Sequence, residues 1–303
     1  METSRDYALL LVDVRGSTSL PPERIGPAMR RVEDESRRLS RRFKDSLALG
    51  LSLSYGDEIA GLFRSTAPLY QCVVALREAL HPDTGLRFVV SEGRIGVVSD
   101  DIRKVGGPVF KTADEAMDSV KSARLYGAWL LADARLSTVL DSLTRLSNEF
   151  VERMTAYQRA VYRGLRAGTS LSGIAEALGK HRQSVSDAAR RGGAGLVIEA
   201  ERSVDALLTG AALHDARPPL TSMTRRLLEE MTEYQRAVYD CLTDGLSRAE
   251  TAEALGKHRQ SVSDAAKRGA ADLLIEAERV IGRLTEDDGG TRPAAPGRSH
   301  GSG

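Results

Sequence analysis

AEALGKHRQSVSDAA occupies residues 175–189 and recurs without a change as residues 252–266. The similarity runs outward from these copies without a gap, residues 154–204 against 231–281, at an offset of 77 with about 35 of the 51 positions identical. A period of 77 is too long for a stacked solenoid repeat, so the chain carries two copies of a small domain.

Each copy opens on a T-x-x-Q spacing, Thr155/Gln158 and Thr232/Gln235, the signature of a capping box at a helix start. Tyr157, Val161, Tyr162 and Leu165 then share one helical face, and Gly168 ends that helix. A short second helix over residues 171–178 turns Ile174, Ala175 and Leu178 inward, and Gly179 supplies the left-handed residue of a tight turn. A third helix begins near His181 and turns Val185 and Ala188 inward. A small residue in mid-helix, a glycine four positions on and a valine six beyond it is the spacing of a helix-turn-helix.

The third helix then shows donor-rich side chains suited to base edges and phosphates. The candidate DNA-binding residues are Lys180, His181, Arg182, Gln183, Ser184, Ser186, Arg190 and Arg191, and in the second copy Lys257, His258, Arg259, Gln260, Ser261, Ser263, Lys267 and Arg268. Arg182, Gln183, Arg259 and Gln260 are assigned to base edges, and Lys180, Arg190 and Arg191 to phosphate. The first helix has drifted between copies (Arg163 against Asp240, Arg166 against Thr243), whereas this face keeps its residues apart from Arg190 against Lys267. A repeat kept only as a bundle would hold its core and drift on its surface.

Residues 231–269, MTEYQRAVYDCLTDGLSRAETAEALGKHRQSVSDAAKRG, resemble region 4 of bacterial sigma factors and related regulators, which implies binding to double-stranded DNA. The departures are Lys180 and Lys257 where an apolar residue is usual, His181 and His258 where Ser or Thr would cap the recognition helix, and Thr251 in place of Ile174.

The 303 residues are 41% apolar and 28% charged, ordinary for a soluble globular protein of two or three domains. The longest apolar run, residues 7–12, is far too short to span a membrane. Cys72 and Cys241 lie far apart with no metal spacing, so a reducing cytoplasm is the expectation. A net charge of +1 does not mark a nucleic-acid binder, but it hides local basic clusters such as Lys180/Arg182/Arg190/Arg191.

N-terminal to the repeats, residues 7–12 read as a strand buried on both faces. A basic amphipathic helix is expected over 29–47, strands over 47–54 and 59–63, a helix over 69–80, strands over 86–90 and 94–98, and a helix over 111–125. This β-α-β-β-α-β order is that of an α+β, ferredoxin-like sandwich. It places Asp13, ending the first strand, near Asp57 at the hairpin tip, where two carboxylates can hold Mg²⁺ or Mn²⁺ against a triphosphate. Gly16 and Ser17 offer backbone N–H groups for phosphate.

YALLLVDVRGST, LSYGDEIAGLF and VGGPVFKTADEAM resemble the palm domain of class III nucleotide cyclases and diguanylate cyclases. DVRGS, GDEIAGLF and GPVFKTADEAMDSVK ahead of a helix-turn-helix resemble the SatD family over residues 7 to about 204. The resemblance implies Asp13 and Asp57 as metal ligands, with Glu58 beside them, and Mg²⁺ with a nucleotide as the cofactor.

The expected organisation is an α+β domain over 1–127, a heptad-like linker helix over 128–153 able to make a homodimer, helix-turn-helix domains over 154–210 and 231–284 joined by a linker over 211–230, and a disordered tail over 285–303. Three readings stay open: a sequence-specific DNA-binding regulator with a nucleotide-sensing or dimerising N-terminal domain, a metal-dependent nucleotide-processing enzyme localised by its DNA-binding units, and a helical bundle that binds a protein such as RNA polymerase.

Overall fold

The computed structural model describes residues 2–54 and 56–289. The chain forms two units, Met1–Ala212 and Leu213–Gly303. It is α+β: one five-stranded mixed sheet lies in the N-terminal part, and helices follow.

The sheet is built around β1 (Asp6–Val14), which pairs antiparallel with β3 (Glu58–Phe63) on one side and β4 (Leu86–Arg94) on the other. β2 (Leu47–Leu53) forms the hairpin partner of β3, and β5 (Gly127–Leu130) runs parallel to β4. The strand order is β2-β3-β1-β4-β5. A central strand covered on both faces is apolar at every position, as Tyr7 to Val12 are. Tyr7, Leu9 and Leu11 meet Val109, Ala113 and Met117 of α3 (Pro108–Ser122). The alternate residues face the opposite side, where α1 (Pro22–Arg42) and α2 (Leu69–Leu80) pack against each other and against β2 and β4.

Several boundaries differ from the sequence expectation. α1 begins at Pro22 rather than residue 29 and ends at Arg42. The strand expected over 94–98 is absent; β4 runs on to Arg94, and only Val97 bridges to Gly106. That approach requires a glycine, because a Cβ on Gly107, at φ 138°, would lie 2.2 Å from the Gly96 nitrogen.

Residues 128–153 are not a linker helix. They hold most of β5 and then α4 (Ala134–Arg153), whose start is capped by the Asp133 side chain accepting from Arg135 N at 2.8 Å and Leu136 N at 3.1 Å. The stripe Leu140, Leu143, Leu146 and Phe150 is buried inside the unit, where α4 packs on β5 and on α8 (Ala194–Leu208), so it does not furnish a dimer surface.

The first repeat is α5 (Ala156–Arg166), α6 (Leu171–Leu178), α7 (Arg182–Arg191) and α8. In the second unit a 3₁₀ turn (Leu213–Ala216) leads into α9 (Arg217–Glu229), α10 (Glu233–Thr243), α11 (Arg248–Ala254), α12 (Arg259–Gly269) and α13 (Ala271–Gly289). The expected linker over 211–230 is therefore mostly helix; Pro218 and Pro219 sit in its first turn, where a missing N–H costs nothing. α13 carries helix to residue 289, and the rest of the tail expected over 285–303 lies outside the described residues.

Both capping boxes form as expected, Thr155/Gln158 and Thr232/Gln235. The structural repeat is longer than the sequence repeat, because α9 stands to α13 as α4 stands to α8. At the same offset of 77, Leu143, Leu146 and Phe150 correspond to Leu220, Met223 and Leu227, and all six are buried.

Candidate nucleic-acid interface and the acidic end of the sheet

The core shared by α5, α6 and α7 is Val161, Ile174, Ala175, Val185 and Ala188, with Gly179 left-handed at φ 60° between α6 and α7. Gly256, at φ 61°, repeats the turn between α11 and α12. His181 and His258 occupy the N-cap positions without a side-chain capping bond. That leaves the first N–H groups of α7 and α12 unmet by those side chains, at the helix ends where a phosphate is best received.

Core anchoring decides which side chains α7 and α12 expose. Val185 and Ala188, like Val262 and Ala265, turn inward; Lys180, His181, Arg182, Gln183, Arg190 and Arg191 are exposed, and Ser184 and Ser186 are half-buried. Lys257, His258, Arg259, Gln260, Ser261, Lys267 and Arg268 are exposed in the second unit, with Ser263 half-buried. Ser184 is held by the Tyr157 hydroxyl at 3.3 Å, Arg190 by Asp187 at 3.5 Å, and Gln260 donates to Asp264 at 3.0 Å. Arg191 donates to the Asp187 carbonyl and Arg268 to the Asp264 carbonyl, so both lie back along their helices. Among the described residues Arg182 and Arg259 have no hydrogen-bond or ion-pair partner, and each stands at the first position of its helix.

A buried polar junction, missed by the sequence reading, joins the first repeat to the sheet layer. Arg77 of α2 is 1% exposed and donates to the Tyr162 hydroxyl at 2.8 Å and to Glu201 at 3.3 Å. Its neighbour Glu78 takes Arg159 at 3.0 Å and also Arg163. Burial alone would raise the Glu78 carboxyl; the guanidinium groups of Arg77, Arg159 and Arg163 outweigh it and hold it at about 2. The first-helix drift now has a cause: Arg163 and Arg166 bind Glu78 and Glu201, while their counterparts Asp240 and Thr243 are exposed. The Tyr162–Glu201 pair itself recurs as Tyr239 and Glu278, where burial and then the Glu278 hydrogen bond push the Tyr239 phenol up to about 12.

At the other end of the sheet, Asp13 and Glu58 are register partners on β1 and β3, and Asp57 precedes Glu58. Asp13 is 8% exposed. One of its oxygens receives Lys121 Nζ of α3 at 2.8 Å and the other Arg87 Nη1 at 3.3 Å. Ser17 donates its hydroxyl to Asp57 and its N–H to the Val14 carbonyl at 3.4 Å, while Gly16, at φ 66°, makes the turn. Burial, partly opposed by Lys121, raises the Glu58 carboxyl, with Asp114 adding to the rise. Burial lowers the Lys121 ammonium, but the hydrogen bond and charge of Asp13, with Glu58 and Asp57 behind it, raise it on balance. A divalent cation would need the Asp13 oxygens, and Lys121 and Arg87 hold both. Among the described residues no group of three or more His, Cys, Asp or Glu side chains could hold a metal ion. The donor set does not fit Mg²⁺ while Lys121 is in place, and the Ser17 N–H and hydroxyl are already engaged.

No helix among the described residues is long and apolar enough to cross a membrane. No protein-family model matches the chain, and no curated protein matches it. A solved structure of a bacterial light-regulated adenylyl cyclase is similar at 10% sequence identity with a TM-score of 0.32, over 41% of this chain and 42% of that one.

Proposed function

We propose that the protein is a sequence-specific DNA-binding regulator in which two helix-turn-helix units, akin to region 4 of sigma factors, read the same half-site. The observation that carries this reading is the shared recognition face: the exposed side chains of α7 recur on α12 with one exchange, Arg190 for Lys267, and Arg182 and Arg259 stand unpartnered at the helix starts. Core packing does not require a free arginine at either place, whereas a guanine edge in the major groove accepts one in bidentate fashion. Each unit alone offers few phosphate contacts, so linking two raises the effective concentration of the second.

The N-terminal domain, in this reading, is a ferredoxin-like scaffold of the SatD and cyclase-palm type. The order β2-β3-β1-β4 with antiparallel neighbours supports it. The Lys121–Asp13 and Arg87–Asp13 pairs favour this over a metal-dependent nucleotide-processing enzyme, since they meet the charge that a metal would meet. Selection of bound sequences from random duplex DNA tests the proposal: a motif with an internal repeat, its halves about 10 base pairs or a multiple apart, is the expected result.

A further inference from the structure

Within the first unit, a cleft of about 490 Å³ is lined by residues of α1, α2, α5 and α8. That volume lies in the range of small-molecule sites. Four guanidinium groups line it. Arg38 is engaged by Glu35 at 2.7 Å and Arg166 by Glu201 at 2.9 Å. Arg42 reaches only the Gln71 side chain at 3.3 Å and the Phe43 ring, and Arg202, exposed on α8, has no partner among the described residues. Two positive groups are thus left to receive an anion.

The same cleft is lined by polar groups that lack partners. Tyr70 is 1% exposed, and its hydroxyl makes no hydrogen bond. Asp205 accepts from Gln71 through one oxygen at 3.3 Å, while its other oxygen is buried with no partner. A buried polar atom left unmet costs about 1–3 kcal/mol, so a ligand that supplies the missing partner is favoured at this place. Burial and then the Glu201 carboxylate raise Asp205 to about 6, so near neutrality it can accept from an amino or hydroxyl group or carry a proton itself. Ile198 and Ala167 give the cleft an apolar wall.

We propose that this cleft binds a nucleoside phosphate, its phosphate on Arg42 and Arg202, a sugar or base donor on Asp205, and the base against Ile198. Guanidinium pairs suit phosphate oxygens, whereas a bare metal ion would meet repulsion from them. α8 follows the recognition helix α7 across a two-residue turn, so an occupant of the cleft bears on the element that sets α7. Only that last consequence rests on the DNA-binding reading; ligand binding stands without it.

The test uses the full chain in EDTA, with AMP, GMP, ATP, GTP and inorganic pyrophosphate as probes at millimolar concentration. At least one nucleotide is expected to raise the melting temperature, with Kd weakened about tenfold or more in Arg202→Glu and again in Arg42→Ala. Circular dichroism of the unliganded variants separates lost binding from lost folding. No shift with any probe, or a shift that both folded variants retain, overturns the proposal, and protection by pyrophosphate alone overturns its nucleoside half. A mobility shift with and without the effective probe then reads the consequence for DNA; unchanged DNA affinity would remove the coupling and leave the ligand site.

Discussion

Lys121 Nζ of α3 lies 2.8 Å from Asp13 Oδ1, so a lysine ammonium stands where a cyclase-like reading of the first strand places a divalent cation. Lys121→Met should leave Asp13 with Arg87 alone and cost on the order of 1 kcal/mol, because the pair is partly screened by solvent. Asp13→Asn in the same chain should recover much of that loss, and urea unfolding of the parent, the two single variants and the double variant measures the cycle. Mg²⁺ or Mn²⁺ should not raise the melting temperature of the parent and should do so for Lys121→Met, where the Asp13 oxygen that Lys121 held is freed. Since its neighbours raise the Lys121 pKa on balance, its contribution is full at neutral pH and is lost as pH rises through the folded value, above the ordinary lysine range.

Glu78 sets the acid limit of the junction between α2 and α5. Its pKa falls from an ordinary 4.5 to about 2 on folding, so its stabilisation is present above pH 4.5 and is lost as pH falls toward 2. Glu78→Gln should lower stability at pH 7 by on the order of 2 kcal/mol and flatten the acid limb of the stability profile. Urea midpoints at a series of acid pH values give the answer, and an acid limb as steep as the parent's would move the effect elsewhere.

The two repeats differ by matched exchanges of volume. Gly193, at φ 66°, has no room for a methyl group, since a Cβ would lie 2.8 Å from the Phe150 ring. The corresponding residues of the second unit are Leu227 and Ala270, and Ala270 holds the same left-handed turn at φ 56°. Gly193→Ala should therefore destabilise by about 1–3 kcal/mol through overpacking and backbone strain. Ala270→Gly should stabilise its unit by about 1 kcal/mol by removing that strain. Thermal melts of the two variants should move in opposite directions.

Much of this architecture was legible because the deciding signals are local. The T-x-x-Q caps, Gly179 and the alternation of Val185 and Ala188 with polar residues mark the helices of the repeats, and the wholly apolar run of Tyr7 to Val12 marks the central strand. β5 escaped because Gly127–Leu130 is only four residues long and merges with the leucine spacing of α4. α9 escaped because Pro218 and Pro219 read as a break, although the first turn of a helix accepts them. The partners of Asp13 and the Arg77 junction could not be read at all, since Arg87 and Lys121 reach Asp13, and Tyr162 and Glu201 reach Arg77, only through long-range packing.

Thr251 replaces Ile174 in the second unit and is fully buried with its hydroxyl unpartnered. Thr251→Val should raise stability by about 1 kcal/mol by removing that hydroxyl at nearly constant shape. Thr251→Ile should not, because Ile174 packs on Gly164 and the matching position carries Cys241. A gain with Ile equal to that with Val, read by thermal melting, would show that the site has spare volume.

The most direct test of the central claim is the affinity of the full chain for its selected duplex, measured for the parent and for Arg182→Ala with Arg259→Ala together. Both arginines are exposed and unpartnered, so the fold should be unaffected. Two lost bidentate contacts predict a loss of at least about thirtyfold, with discrimination among bases lost at both half-sites. A double variant that binds the selected duplex as tightly as the parent would contradict the account.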